Sequence, residues 1–156
     1  VKIWDCDLEH SLYGVQIKGT RKRGGYVRKV AVSHCVLPRF LICAVRYNDD
    51  GIGAKEPPSF SDCTCRQVRF TGWARNYWEK EDHAMPIIEI SGFPGYPATG
   101  ITFRRCVAPE DAEIKLSHVQ EIHIDIQQAG EREEMKNEEY RMKGYTNQRA
   151  SWSMAS

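Results

Sequence analysis

The chain has 156 residues, of which 41% are hydrophobic and 28% are charged, and its formal net charge is +1. This length is sufficient for one domain with a hydrophobic core, and the small net charge gives no preference for an anionic or a cationic partner. No apolar run approaches the roughly 20 residues of a membrane-spanning helix, so no membrane partner is expected.

Five short segments along the chain share one apolar pattern. In each, two apolar residues alternate with polar ones, and a third apolar residue closes the segment. The alternation predicts a strand with the first two side chains on one face. In four of the segments the closing residue lies three positions after the second apolar residue, and this odd step predicts a bend at the strand's end. The five segments are Val1–Cys6, Val30–Cys35, Cys63–Val68, Ile101–Cys106 and Ile122–Ile126.

A second strand-like segment follows each of the first four: Val15–Ile17, Leu41–Val45, Ile87–Ile90 and Ile114–Leu116. Repeats of 20 to 50 residues predict a solenoid, in which each unit buries its apolar face by stacking on the next. Strands at such spacing also suit a β-sandwich. Equivalent positions carry like residues, however, since Cys6, Cys35 and Cys106 all close their segments. The sequence therefore predicts an all-β chain that forms a parallel β-helix.

Two regions depart from the repeat. The insertion between Val68 and Pro86 holds Trp73, Tyr77 and Trp78 and a charged run, and we predict a projecting loop or short helix there. Residues 131–156 lose the strand pattern, which favours a solvated helix, a frayed tail or a polar cap over an open end of the solenoid. The predicted organisation is β-helix rungs over 1–130 and a charged tail or end cap over 131–156.

The six cysteines are predicted to be free thiols rather than disulfides. Most of them occupy apolar positions of strand-like segments, where a free cysteine behaves as a small hydrophobic residue. We expect Cys6, Cys35 and Cys106 to be reduced and buried, because they fill the same position of the repeat. No paired Cys and His set occurs at the spacing of zinc ligands, so no metal is expected.

A basic turn lies between the second and third predicted strands. Six basic side chains and no acidic one occur from Lys18 to Lys29. Clustered positive charge favours a polyanionic ligand. The run Arg21-Lys22-Arg23 could also bind nucleic acid or a nuclear import receptor, but Tyr26 is the single aromatic residue near it. Chain reversal explains the Gly24-Gly25 pair better, so nucleic acid is not expected.

Several blocks, in their order along the chain, resemble the family 28 glycoside hydrolases, the polygalacturonase group. A strand ends in Gln16-Ile17-Lys18, where the family has Arg-Ile-Lys, and the glycine pair of the basic turn follows it. The resemblance covers roughly residues 1–128 and continues through blocks at 47–51, 57–60, 88–97 and 100–104. It implies a right-handed parallel β-helix, of which this chain is the C-terminal part. It also implies hydrolysis of α-linked galacturonic acid polymers or oligomers by inversion.

The resemblance assigns substrate-binding roles to individual residues. Lys18 is expected to line the cleft and bind a sugar carboxylate through a charge-assisted hydrogen bond. Tyr47 corresponds to a tyrosine that stacks near the bound sugar, and Arg21 and Arg23 would add outer attraction. Gln16 departs from the family, because it lacks the charge and bidentate grip of the arginine. A neutral sugar or a differently placed carboxylate fits Gln16 better.

Catalytic residues are not expected in this chain. The family's aspartate motifs, Asn-Thr-Asp and Asp-Asp upstream of the lysine, and its His-Gly motif do not occur here. Asp49-Asp50 lies downstream of Lys18 and is typical of a turn. The chain alone is therefore expected to be inactive, because hydrolysis needs two carboxyl groups.

Two function classes remain open at this point. The first is a segment that supplies substrate-binding residues to a secreted or periplasmic pectin-degrading enzyme, with an acidic polysaccharide and the missing N-terminal rungs as partners. An intracellular location stays open, because the cysteines look unpaired. The second is a non-catalytic β-helix that binds carbohydrate or packs in an assembly. Neither class implies a cofactor.

Overall fold

The computed structural model describes residues 1–45 and 53–129, together with the backbone of residues 151–152. Within these ranges the chain forms strands and no helix. The strands are β1 (Lys2–Trp4), β2 (Val15–Gly19), β3 (Tyr26–Ser33), β4 (Val36–Leu37), β5 (Phe40–Ala44), β6 (Ser59–Arg66), β7 (Arg69–Phe70), β8 (Trp73–Ala74), β9 (His83–Ala84), β10 (Ile88–Ser91), β11 (Ala98–Pro109), β12 (Ile114–Ser117), β13 (Val119–Ala129) and β14 (Ser151–Trp152).

Two parallel sheets contain most of these strands. Sheet 1 has the order β1-β3-β6-β11-β13, with β4 and β7 paired beside β11 and with β14 antiparallel on β13. Sheet 2 has the order β2-β5-β10-β12. The chain passes repeatedly from one sheet to the other and adds one neighbouring strand each time. The prediction of an all-β chain with parallel strands is confirmed, because every strand pair of the two sheets in the described residues is parallel except that of β13 with β14.

The predicted inward column of sheet 1 is in register across the repeat. Ile3 lies opposite Val32, Val32 opposite Cys65, Cys65 opposite Phe103 and Phe103 opposite Ile124. The last four side chains are buried, whereas Ile3 is partly buried because β1 is the edge strand. Neighbouring strands lie about 4.8 Å apart, so these side chains pack directly on one another.

At the predicted bends, single residues adopt the left-handed backbone conformation. In four of the five segments, a non-glycine residue with φ between 51° and 53° directly precedes the apolar residue that closes the segment: Asp5, His34, Gln67 and Arg105. A single residue of this conformation interrupts the alternation, so the next apolar side chain again faces the interior. Backbone hydrogen bonds stack these bends, as from His34 N to Arg66 O at 3.1 Å.

Aromatic contacts join the two sheets. Phe103 of sheet 1 meets Phe40 of sheet 2 edge to face, with ring centroids 5.4 Å apart, and also packs on Phe70 at 6.2 Å. Phe60 stacks on Phe93 at 6.2 Å. Edge-to-face and offset arrangements are the ones that aromatic rings prefer. The hydrophobic core therefore lies between the inner faces of the two sheets.

The insertion between β7 and β10 differs from the prediction of a loop or short helix. Strands β8 and β9 pair antiparallel, with Trp73 opposite Ala84 and Ala74 opposite His83. A ladder of two residues per strand is too short to produce a recognisable periodicity in the sequence. The insertion is therefore a hairpin, which we call the aromatic hairpin (residues 73–84).

All six cysteines are free thiols, as predicted. Cys35, Cys63, Cys65 and Cys106 are buried, whereas Cys6 and Cys43 are partly exposed. The prediction that Cys6 is buried is wrong, because no strand of the described part covers the outer side of β1.

Several predictions fall outside the described residues. Tyr47 and Asp49-Asp50 belong to the segment 46–52, and residues 131–150 and 153–156 of the predicted tail or end cap also lie outside the described ranges. Of the predicted tail, the backbone at 151–152 forms β14, which pairs with Ile124 and Asp125. Within the described ranges no helix has the length and apolarity needed to cross a membrane.

Candidate functional site

Gln16 and Lys18 share the outer face of sheet 2. The alternate residues of β2, Val15 and Ile17, are buried in the core, so Gln16 and Lys18 point away from it. Gln16 lies opposite Leu41 and Lys18 opposite Cys43 on the neighbouring strand β5. The Lys18 side chain is exposed near the end of its strand. Both residues can therefore contact one ligand that lies over this face.

Cys43 lies on the same face, on the strand that neighbours β2. The Nε2 of Gln16 donates to its Sγ at 3.8 Å. Burial raises the pKa of the Cys43 thiol, and the hydrogen bond from Gln16 and the positive charges of Lys18 and Arg39 counteract this rise in part. A thiol whose pKa lies above its usual range stays protonated at neutral pH and is a weak nucleophile. Cys43 therefore contributes polarity to the face rather than covalent chemistry.

An ion pair with one buried partner lies at the start of β5. Arg39 is 2% exposed, and its Nη2 contacts Glu89 Oε2 at 2.7 Å while its Nε donates to Pro86 O at 2.9 Å. Burial lowers the pKa of Arg39 and Glu89 opposes this shift. Arginine stays charged in proteins because its ordinary pKa is so high. Arg39 therefore connects the start of β5 to β10 and to the segment between the aromatic hairpin and β10.

The aromatic hairpin is held by one carboxylate. Glu79 accepts hydrogen bonds from Asn76 N at 2.7 Å and from His83 Nε2 at 2.8 Å. The Asn76 amide and then His83 lower the pKa of Glu79 to about 2, and the bond to Glu79 raises the pKa of His83. The charge of Arg39 opposes this rise in the pKa of His83.

The basic turn begins directly after β2. Arg21, Lys22 and Arg23 are exposed, and the turn is closed by a bond from Arg23 N to Thr20 O at 3.1 Å. Gly24 follows with φ of 62°, and a Cβ there would come within 2.9 Å of the Ala54 side chain. This position therefore needs glycine for both its conformation and its close packing. The turn places Arg21 and Arg23 just beyond the strand that carries Gln16 and Lys18.

The structure thus brings Gln16 and Lys18 together, sets Arg21 and Arg23 at the end of their strand, and leaves Tyr47 undescribed. Three further residues of the face were missed by sequence reasoning: Arg39, Cys43 and Glu89. Glu89 carried a signal, since an acid between two isoleucines of a strand must face outward. Arg39 follows Pro38 within an apolar run, and this context gives no indication of a buried cation.

The chemistry available on this face is anion recognition. Glu89 is the sole acidic residue in the four strands of sheet 2, and it is already paired with Arg39. Among the described residues, no group of three or more His, Cys, Asp or Glu side chains could hold a metal ion. No protein family, curated protein or solved structure matches this chain.

Proposed function

We propose that the two sheets are faces of a right-handed parallel β-helix whose sheet 2 binds acidic sugars of the galacturonic acid type. The β-helix is supported by the passage of the chain from sheet to sheet and by the parallel register within each sheet. Right-handedness is supported by the strong preference of parallel crossovers for that hand. The observation that carries the ligand proposal is the exposed Lys18 beside Gln16 on one outer face.

The binding chemistry follows from these side chains. The Lys18 ammonium donates to the sugar carboxylate, and such a bond is roughly twice as strong as a neutral one. Gln16 donates to a ring hydroxyl or accepts from one. Arg21 and Arg23 attract the polyanion from the adjoining turn. Tyr47 remains a predicted stacking wall.

In the full proposal this chain is the substrate-binding segment of an inverting, pectin-degrading glycosidase that is secreted or periplasmic. The acid and the base would come from rungs that precede β1, as the missing aspartate motifs imply. Strands β1 and β2 are the edge strands of their sheets, so a preceding rung could pair with both. A parallel strand added there would also cover the half-buried Ile3 and Cys6.

A second candidate is a carbohydrate-binding protein without hydrolytic activity. It is favoured by the pairing of Glu89 with Arg39, which leaves no unpaired acid on the strands of sheet 2. The two candidates differ in one measurement, the release of reducing ends from polygalacturonate. This chain alone should release none under either proposal, because the catalytic pair is absent; a longer chain that carries the preceding rungs should release them under the first.

Binding to galacturonate oligomers tests the site itself by isothermal titration calorimetry. Lys18→Ala removes a charged hydrogen bond that contributes roughly 1.5–3 kcal/mol, so the Kd should rise about ten- to a hundredfold. Gln16→Arg should tighten binding by adding a second cation to the same face. Lys55→Ala, which removes an exposed charge outside sheet 2, is the matched control. A Kd that Lys18→Ala leaves unchanged, or neutral galactose oligomers bound equally well, would contradict the proposal.

A further inference from the structure

The outer face of sheet 1 carries a row of side chains that the proposed function does not use. Trp4 lies opposite Ser33, Ser33 opposite Arg66, and Arg66 opposite Arg104. The preceding residues of β6 and β11 are buried, so both arginines point away from the core, and both are exposed. Trp4 is 60% exposed at the end of the row. We call these four residues the arginine row.

The alignment of Arg66 with Arg104 is unfavourable within the chain. Neighbouring strands lie about 4.8 Å apart, and like charges directly opposite each other are destabilising. Neither guanidinium makes a hydrogen bond or an ion pair with another side chain of the described residues. The carboxylate of Asp125 accepts instead from the backbone N of Arg105 at 3.3 Å, and the exposed Arg105 adds a third positive charge.

The two buried arginines of the described residues, in contrast, each form an ion pair with an acid. Arg39 contacts Glu89 at 2.7 Å and Arg69 contacts Glu9 at 3.2 Å. In each case an acid of another strand or loop neutralises the cation. The arginine row therefore stands out as concentrated positive charge on an open face, an arrangement suited to an anionic partner.

Hydroxyl groups adjoin the two arginines. Thr64 lies opposite Thr102 in the neighbouring outward row, two residues before Arg66 and Arg104. Ser33 continues the arginine row itself toward Trp4. Guanidinium groups match carboxylates with a planar fork of donors, and hydroxyls donate to or accept from sugar oxygens. An aromatic ring at the end of the row offers an apolar surface with a polar edge.

We propose that the arginine row binds an acidic polysaccharide that lies across the strands of sheet 1, at a site separate from the outer face of sheet 2. Arg66 and Arg104 bind carboxylates of the chain, and Trp4 packs against a sugar ring farther along. A single-stranded nucleic acid fits less well, because such ligands are bound by aromatic rings interleaved along the backbone path. The row has one aromatic residue, at its end. The proposal does not depend on sheet 2, since the two sites share no residue.

Affinity electrophoresis through gels that contain polygalacturonate, or neutral galactan as reference, tests the proposal. Every variant is made in a Lys18→Ala background, so that binding at sheet 2 does not mask the result. Arg66→Gln/Arg104→Gln should raise the Kd for polygalacturonate at least tenfold, and Trp4→Ala at least threefold. The double variant Lys55→Gln/Lys80→Gln removes two exposed charges outside the row and should change the Kd less than twofold.

Two further measurements make the result decisive. The effect of the arginine variant should shrink as salt is added, because ions screen exposed charges. Its thermal midpoint should equal or exceed that of the parent, since one like-charge contact is removed; this excludes misfolding as the cause of lost binding. Equal retention of the arginine variant and the lysine control would overturn the proposal. Retention by neutral galactan as strong as by polygalacturonate, or tighter arginine-dependent binding of an oligonucleotide, would overturn it as well.

Discussion

Removal of Glu89 should destabilise the protein more than removal of Arg39, although Arg39 is the buried partner of the pair. Arg39 is 2% exposed, whereas the Glu89 side chain is 41% exposed. Glu89→Ala leaves a buried cation whose remaining partner is the Pro86 carbonyl at 2.9 Å. Arg39→Met leaves a carboxylate that water can reach, and the methionine side chain keeps most of the packing of the arginine stem.

The expected losses in the free energy of unfolding differ because Glu89→Ala leaves a buried charge unpaired and Arg39→Met does not. Breaking a buried ion pair by removing one partner costs about 3–5 kcal/mol, because the other charge stays buried. Water reaches this pair from the exposed side of Glu89, so we expect about 2–3 kcal/mol for Glu89→Ala. Arg39→Met leaves the Pro86 carbonyl without its donor, which costs about 1 kcal/mol. The double variant should resemble Arg39→Met alone, since no cation is then stranded.

Urea unfolding at neutral pH measures these differences, with equal m-values as the sign that the denatured state is unchanged. Glu113→Ala is the control, because Glu113 and Lys115 form an exposed pair at 3.5 Å and such pairs contribute about 0–1 kcal/mol. The reasoning is refuted if Arg39→Met costs as much as Glu89→Ala. It also fails if the two effects add in the double variant, which would mean that the pair is not coupled.

Two further predictions concern titrating groups. In the folded protein a maleimide should label Cys6 readily and Cys43 more slowly, because burial raises the pKa of the Cys43 thiol. The four buried thiols should stay unlabelled, because burial hides them and raises the pKa of Cys106 to about 12; mass spectrometry that finds Cys106 labelled without denaturant would contradict this. NMR should show that Glu79→Gln lowers the raised pKa of His83 toward 6.5. If the pKa of His83 is the same in the variant, the two side chains do not interact. Because the pKa of His83 is raised in the folded protein, the contact between Glu79 and His83 stabilises the hairpin fully below pH 6.5, and this stabilisation is lost as pH rises through the folded pKa. Because the pKa of Glu79 is lowered, the same stabilisation is fully present above pH 4.5 and is lost as pH falls through about 2. The hairpin should therefore be best ordered between pH 4.5 and 6.5.

The strands could be predicted because the core requires alternation. Val32, Cys65 and Phe103 differ in size and chemistry, yet each is flanked by residues that face outward, and this pattern is visible without any structure. The bends could be predicted in position but not in kind. His34 and Gln67 adopt positive φ and neither is the glycine that usually marks such a conformation, so the odd spacing of the next apolar residue was the single signal.

The candidate site could be predicted where it depends on one strand and not where it depends on register. Gln16 and Lys18 lie two residues apart on β2, so alternation alone puts them on one face. Arg39 directly precedes β5 and Glu89 lies in β10, far away in the sequence, and the two meet because β5 and β10 pair in a particular register. Register is decided by the packing of whole strands, and single-sequence reasoning has no access to it.

The outer faces of the two sheets differ in how their arginines are paired, and this difference supports separate roles for the two faces. On sheet 2 the cation nearest the core, Arg39, is neutralised by Glu89, whereas Lys18 and Lys115 are exposed on its strands. On sheet 1 two arginines meet in register without an acid between them. A sheet selected for stability alone would place opposite charges at these positions, because such pairs are favourable and like pairs are not. Arg66 opposite Arg104 is therefore an unfavourable alignment, and under our proposal an anion held by both guanidinium groups compensates it.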